Sequence, residues 1–282
     1  MNYDIALVGY GFVGKALHKL FGDLVKTVYD PAAPDTLELR SLGKTKEDVA
    51  KCRFAMIAVP TPTRADGSCN TDIVEEVVNW IESDYIIIRS TVSPGTTDRL
   101  RVRTGKRIVF QPEYVGETVS HPLLDHRIQN FVILGGAMND TSAVAELYKR
   151  VFHSDLHIHM TDAKTAELTK YMENSFYAAK VAFCNEFFGI AKAIGVDYNE
   201  LRELWLADPR ISRDHTFVYP DDRGFSGKCL PKDMSAVIVA AEDSGYIPHM
   251  MREIMRINAG YRICDPTYDP YRSIPKPLSE RP

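Results

Sequence analysis

Short apolar runs alternate with amphipathic stretches over the first half of the chain. The runs Ile5–Val8, Val25–Tyr29, Phe54–Val59, Tyr85–Ile88, Arg107–Phe110 and Phe131–Leu134 are rich in Val and Ile. They largely lack polar alternation, as strands covered on both faces of a parallel sheet do. Helical patterning lies between or after them, at Gly14–Phe21, Thr71–Glu82 and Asp140–Phe152. Strand alternating with helix predicts a doubly wound α/β domain with a parallel sheet over residues 1–158.

The second half has a different rhythm. No proline occurs between Pro122 and Pro209, and Ala163–Ile194 reads as one helix. Leu168, Met172, Phe176, Ala179, Phe183, Phe187, Ile190 and Ile194 recur at intervals of three and four, which keeps them on one face. Such a helix would run about 48 Å, a length suited to an inter-domain spine or a dimer interface. Lys170 and Asn174, one turn apart, sit about 200° around from Met172 and are expected to point away from the core that the stripe would enter. Further helices are predicted at Tyr198–Leu206, Lys232–Ser244 and His249–Tyr261, making 159–262 a long helix followed by a small all-helical domain. Residues 263–282, with Pro266, Pro270, Pro275, Pro277 and Pro282, read as an extended tail.

Composition narrows the function classes. The 282 residues carry 34 Lys and Arg against 38 Asp and Glu, a net charge of −4. That balance gives no global footprint for nucleic acid or an anionic membrane. No apolar run reaches the ~18 residues of a membrane span. The start, MNYDIALVGYG, lacks the pattern of a signal peptide and reads as a first strand, so a cytoplasmic protein is expected. Cys52, Cys69, Cys184, Cys229 and Cys264 are odd in number and scattered, with no metal-ligand spacing. No metal is expected, and a special cysteine would be reactive rather than structural.

Gly9-Tyr10-Gly11-Phe12-Val13-Gly14 follows a strand and opens a helix, the context that makes G-x-G-x-x-G informative. Gly9 permits the tight turn, Gly11 admits a pyrophosphate to the backbone, and Gly14 allows close packing. The helix start offers unpaired N–H groups to phosphate. Asp30 ends the second strand, where a carboxylate accepts from ribose hydroxyls and repels a 2′-phosphate. The first domain is therefore expected to be Rossmann-like and to hold NAD rather than NADP. Flavin is the weaker occupant, and a glycine turn with no dinucleotide is the bland alternative.

Gly224-Phe225-Ser226-Gly227-Lys228-Cys229-Leu230-Pro231-Lys232-Asp233 places a cysteine just before a helix whose first position suits Pro231. Lys228, Lys232 and the helix dipole favour thiolate at Cys229. Taken alone, Cys229 reads more often as an inert buried thiol. Lys170 reads equally as a solvated lysine, or with Asn174 as a stabiliser of an oxyanion. Glu113 and Glu117 follow the fifth strand at the sheet's carboxyl edge, where ligands bind, although loop carboxylates are commonly surface charges. Ser90-Thr91-Val92-Ser93-Pro94-Gly95-Thr96 and Pro60-Thr61-Pro62-Thr63 read as caps or turns when isolated.

Together and in this order, GYGFVG, Asp30, AVPTPT, STVSPGT, PEYVGE, AELTKYMENSF and GFSGKCLPKD resemble the UDP-glucose/GDP-mannose dehydrogenase family over residues 5 to about 260. The resemblance implies NAD-dependent, four-electron oxidation of a sugar C6 alcohol to a carboxylate. Cys229 would capture the aldehyde as a thiohemiacetal and carry the later thioester. Lys170 and Asn174 would bind the C6 oxygen, Thr91 and Asp233 would position water or share a proton, and Glu113 would serve hydrolysis. Gly9 to Gly14, Asp30, Pro60, Thr61, Thr91, Glu117 and Lys232 would hold the cofactor. Glu113, Tyr114, Glu117, Lys170, Asn174, Gly224 and Phe225 would line the substrate. Arg210 would reach across a homodimer built on the long helix. The family pattern includes a third, nucleotide-binding domain where this chain has its Pro-rich stretch, so a compact form is expected. Ser226 stands where the family has glycine. His215–Arg223 resembles the UDP-glucose branch, making UDP-glucose the expected substrate. Another nucleotide sugar, a small hydroxy acid as in the related β-hydroxyacid dehydrogenases, and a non-catalytic NAD-binding partner are the alternatives.

Overall fold

A computed structural model describes residues 3–34, 36–116, 125–126, 129–152 and 155–263. The tail from Cys264 onward and Glu117 lie outside the described residues, while Ile263, read as the first tail residue, ends a helix. The chain divides into two compact units, Met1–Met172 and Glu173–Pro282.

The first unit is built on a seven-stranded sheet. Its strands are β1 (Ile5–Val8), β2 (Val25–Tyr29), β3 (Phe54–Ile57), β4 (Tyr85–Ile88), β5 (Ile108–Phe110), β6 (Phe131–Gly135) and β7 (His157–Thr161), ordered β2-β1-β3-β4-β5-β6-β7. β2 through β5 pair in parallel, as expected. β6 runs antiparallel to β5 through Phe110 and Gly135, and β7 pairs in parallel with β6. The sheet is thus mixed, and it has a strand that the apolar pattern does not predict. β7 reads HIHMT and lies at the edge, where no second face needs apolar cover.

The period-two alternation of strand side chains separates two cores. Ile5, Leu7, Phe54, Met56, Tyr85, Ile87 and Val109 face α1 (Phe12–Phe21), α2 (Leu37–Arg40) and α6 (Met138–Tyr148). Ala6, Val8, Ala55, Ile57, Ile86, Ile88 and Phe110 face α3 (Lys46–Lys51), α4 (Asp72–Trp80), α5 (Thr96–Thr104) and the first turn of α7 (Ala163–Ile194). α5 reads TTDRLRVRT and escapes prediction because Leu100 is its one buried large apolar side chain.

The helix α7 spans Ala163–Ile194, the predicted bounds. Asp162 starts it by accepting the Thr165 N–H at 2.9 Å, and Gly195, at φ +85°, ends it. The stripe on it is not in the core. Met172 is 75% exposed, Phe176 62% and Ile194 72%, and Leu168, Phe183, Phe187 and Ile190 are exposed as well. The buried face carries Ala166, Glu167, Tyr171, Asn174, Ser175, Ala178, Ala182 and Asn185. Lys170 and Asn174 therefore do not point away from the core: Asn174 is buried within it and Lys170 is half-buried. Apolar periodicity identifies a face that avoids water, and the described residues of this chain do not cover that face.

In the second unit, the later part of α7 packs with α8 (Tyr198–Trp205), α9 (Leu230–Asp243) and α10 (His249–Ile263). Ala178, Val181 and Ala182 of α7 meet Phe225, Met234 and Ile254, while Cys184 and Ala191 meet Tyr198. Among the described residues, no helix is long and apolar enough to cross a membrane.

Candidate active site

The glycine turn between β1 and α1 has the shape a dinucleotide needs. Gly9 sits at φ +94°, and a Cβ there would fall 2.4 Å from the Ala58 carbonyl oxygen. A Cβ on Gly14 would fall 2.2 Å from the Gly9 carbonyl oxygen, whereas one on Gly11 would meet nothing within 4 Å. The backbone is closed beneath and open above. No side chain caps α1 at Gly11, so its first N–H groups are left for phosphate oxygens. Tyr10, Phe12 and Val13 belong to this turn. Asp30 lies at the carboxyl end of β2 and accepts the N–H groups of Tyr10 at 2.6 Å and Ala32 at 2.8 Å. These bonds aim its carboxylate across the turn, with lone pairs left for ribose hydroxyls. The residues present fit NAD.

Loops after β3, β4 and β5 gather other predicted residues at the same sheet edge. Thr61 is buried and Pro60 exposed. Ser90 accepts the Val59 N–H at 3.0 Å and donates to the Val59 carbonyl at 2.7 Å, joining the β3 and β4 loops beside Thr91. The Thr91 carbonyl accepts from the Cys69 thiol at 3.4 Å.

Glu113 is buried with every oxygen engaged. Oε1 accepts the Tyr114 and Val115 N–H groups, each at 2.7 Å. Oε2 accepts from Arg89 Nη2 at 2.6 Å and lies 3.4 Å from His126 Nε2. Burial alone would raise its pKa, but the Arg89 guanidinium and then His126 outweigh that and hold it well below the usual carboxylate range. Tyr114 is buried, and the Lys170 ammonium lies 5.1 Å over its ring, within cation–π range.

The second unit holds the cysteine loop. Gly224 sits at φ +79°, and a Cβ there would lie 2.5 Å from Asn258 Oδ1. Asn258 accepts the Phe225 N–H at 2.7 Å and donates to the Phe225 carbonyl at 3.0 Å, a reciprocal pair within the core. Asn185 accepts the Gly224 N–H at 3.1 Å. Two helix-borne amides thus fix the approach to Cys229, which is exposed and occupies the N-cap of α9. Pro231 takes the second helical position rather than the first predicted one, because the helix already starts at Leu230.

Asp233, in the first turn of α9, is 1% exposed. Its N–H bonds the Cys229 carbonyl at 2.9 Å, Oδ2 accepts from Asn174 Nδ2 at 2.5 Å, and Oδ1 is paired with Lys232. Lys232 is thus engaged with a carboxylate one residue on. Arg210 is exposed and paired with Asp208 through Nε and Nη2.

Thr91, Glu113, Tyr114 and Lys170 therefore share the first unit with the glycine turn. Asn174, Cys229, Lys232 and Asp233 cluster in the second. Arg89, His126, Asn185 and Asn258 were not singled out from sequence. Arg89 has a trace there, as a cation closing an all-apolar strand. The two asparagines have a weaker one, as polar residues in the buried register of helices. Among the described residues, no group of three His, Cys, Asp or Glu is placed to hold a metal.

A dinucleotide cradle on the parallel part of a mixed sheet, followed by a helical unit with a cysteine at a helix start, is the architecture of nicotinamide-dependent dehydrogenases. The comparisons make the class specific. Residues 32–152 match the NAD binding domain of the UDP-glucose/GDP-mannose dehydrogenase family, and residues 164–260 match its central domain. The chain belongs to that family. It is 29% identical to UDP-glucose 6-dehydrogenase of Pseudomonas aeruginosa, over 80% of this chain and 52% of that one. It is 28% identical to GDP-mannose 6-dehydrogenase of Azotobacter vinelandii, over 79% and 55%. It superposes with TM-score 0.79 and 26% identity on the UDP-glucose dehydrogenase of the archaeon Pyrobaculum islandicum, over 92% of this chain and 68% of that one. The chain spans about half to two thirds of the length of these relatives.

Arg89→Met strands the Glu113 carboxylate in the core and should cost about 3–5 kcal/mol in urea unfolding. The folded pKa of Glu113 lies below its ordinary value of 4.5. Its stabilisation is therefore present above that value and lost as pH falls toward the lowered one. Glu113→Gln should flatten the fall of the melting temperature below about pH 4.5, and an unchanged acid profile would contradict the assignment.

Proposed function

We propose that this chain oxidises the C6 alcohol of UDP-glucose to UDP-glucuronate in two successive two-electron steps. The observation that carries the reading is the start of α9. An exposed cysteine occupies the N-cap position of that helix, and one turn on lies a buried carboxylate held by Asn174 and Lys232.

Bound at the glycine turn and Asp30, NAD would take one hydride in each step, so two molecules are consumed per sugar. The first hydride leaves C6 and the hydroxyl proton is released, giving an aldehyde. The Cys229 thiolate adds to that carbon and the oxygen takes a proton, forming a thiohemiacetal. Loss of a second hydride and of that proton leaves a thioester. Water then adds, the C–S bond breaks, and carboxylate and thiol remain with one proton released to solvent. Lys170 and Asn174 hold the C6 oxygen as it gains negative charge. Thr91 and Asp233 place water or share a proton. Glu113 serves hydrolysis by orienting groups rather than as a base, since a carboxylate held so strongly ionised accepts a proton poorly. Tyr114, Gly224 and Phe225 shape the substrate side.

The sugar assignment is supported by the likeness to the Pyrobaculum enzyme and by the segment His215–Arg223. Near-equal identity to a GDP-mannose enzyme makes GDP-mannose the rival substrate. A homodimer through α7 is supported by the exposed stripe. Full burial of each such side chain favours association by about 1.5–3 kcal/mol. Arg210, turned to solvent beside Asp208, would then serve the partner's substrate. Cytoplasmic residence fits the thiols Cys52, Cys69 and Cys184, which are not in disulfides among the described residues.

NADH formed per sugar tests the reaction, with UDP-glucose and GDP-mannose assayed side by side. Two NADH per UDP-glucose are expected, with acid formation abolished in Cys229→Ser. One NADH per sugar, or acid formation surviving the substitution, would contradict the mechanism. Turnover of GDP-mannose alone would replace the sugar. The dimer is tested by sedimentation of the double variant Met172→Glu, Phe176→Glu. Wild type is expected at twice the chain mass and the variant at the chain mass. A monomeric wild type would overturn the dimer.

A further inference from the structure

The buried face of α7 carries a carboxylate for which the chemistry above has no use. Glu167 is fully buried. Its Oε2 accepts the Gly95 N–H at 2.5 Å, and its Oε1 accepts the Thr97 N–H at 2.9 Å and the Thr97 hydroxyl at 2.6 Å. These donors form the start of α5. Gly95, the N-cap, sits at φ +93° and has no side chain with which to cap the helix itself. The cap comes instead from a residue about 70 positions further along the chain.

A helix start is ordinarily capped by a local Ser, Thr, Asp or Asn for about 1 kcal/mol, with no buried charge. Glu167 is a costly substitute. Burial pushes its pKa up to about 7, against the pull of the Thr97 and Gly95 donors. What it gives that a local cap could not is a link between two segments. On one side is the Ser90–Thr96 loop, which carries Thr91 and whose other end is pinned by Ser90 to Val59. On the other side is the turn of α7 that carries Lys170, three residues beyond Glu167 and so on the adjoining surface of the helix. The Lys170 ammonium in turn rests over Tyr114.

We propose that Glu167 is a positioning residue that locks the Thr91 loop to the Lys170 turn of α7, setting the geometry of the first unit's reacting groups without touching substrate. The proposal rests on the function proposed above for Thr91 and Lys170. Glu167→Gln keeps the shape but turns an amide NH2 toward one of the donors. It is expected to lower kcat about 10- to 100-fold while the NAD dissociation constant stays within about twofold, because misplaced groups slow chemistry more than they weaken a remote cofactor. Thr97→Val removes only the hydroxyl donor and is expected to lower kcat less, in the same direction. An unchanged kcat in the Gln variant, or a loss that follows NAD affinity alone, would overturn the role. Amide hydrogen exchange reads the lock without turnover. Exchange over residues 90–97 should quicken at least about tenfold in the Gln variant, with β4 unaffected. Unchanged exchange would overturn the lock, whether or not the wild type oxidises a nucleotide sugar. Quickened exchange beside an inactive wild type would uphold the lock and count against the reaction alone.

Discussion

One helix imposes the constraint on which the rest of this protein depends. Over its 32 residues, α7 turns Glu167, Asn174 and Asn185 into the protein and leaves Met172, Phe176 and Phe183 in water. For a helix standing alone this is the wrong way round. Buried polar groups cost free energy unless they are hydrogen-bonded, and an apolar stripe in water forgoes its transfer energy. The interior half of that cost is met within the chain. Glu167 takes three donors from the start of α5, Asn174 donates to Asp233, and Asn185 receives Gly224. Each bond also fixes a segment of candidate chemistry, so the polar groups that make the helix expensive are those that place the site. The outer half of the cost is not met among the described residues.

The buried carboxylates Glu113 and Glu167 differ because their partners differ. Glu113 faces a guanidinium that outweighs desolvation, so it stays ionised over the working range and acts as a fixed charge. Glu167 faces neutral N–H and O–H donors that do not outweigh it, and its pKa rises to about 7. Burial alone predicts the same direction for both, and Arg89 and then His126 beside Glu113 separate them. Asp233 follows a third pattern, shared between an amide donor and the lysine next to it at the helix start that presents Cys229.

Much of this organisation is legible in the sequence because it rests on local rules. The first six strands follow from apolar runs, and the extent of α7 from a proline-free stretch with apolar residues at intervals of three and four. The glycine turn and Asp30 follow from strand context. What escaped has physical causes. β7 is an edge strand with no face wholly in the core, and α5 is a polar helix with one buried large apolar residue. The orientation of the α7 stripe cannot be read from periodicity, which says that a face avoids water but not which molecule covers it. Glu167, Arg89, Asn185 and Asn258 act through partners from about 24 to 70 positions away, and such pairings leave no spacing rule behind.

In the proposed reaction, Cys229 becomes covalently bonded to the sugar between the two oxidations. Acid-quenched turnover with UDP-glucose and NAD, followed by mass analysis of the peptide that carries Cys229, tests it most directly. The account predicts a sugar adduct on that peptide, present during turnover and absent when NAD is omitted. NADH accumulating with that peptide unmodified at every quench time would contradict it.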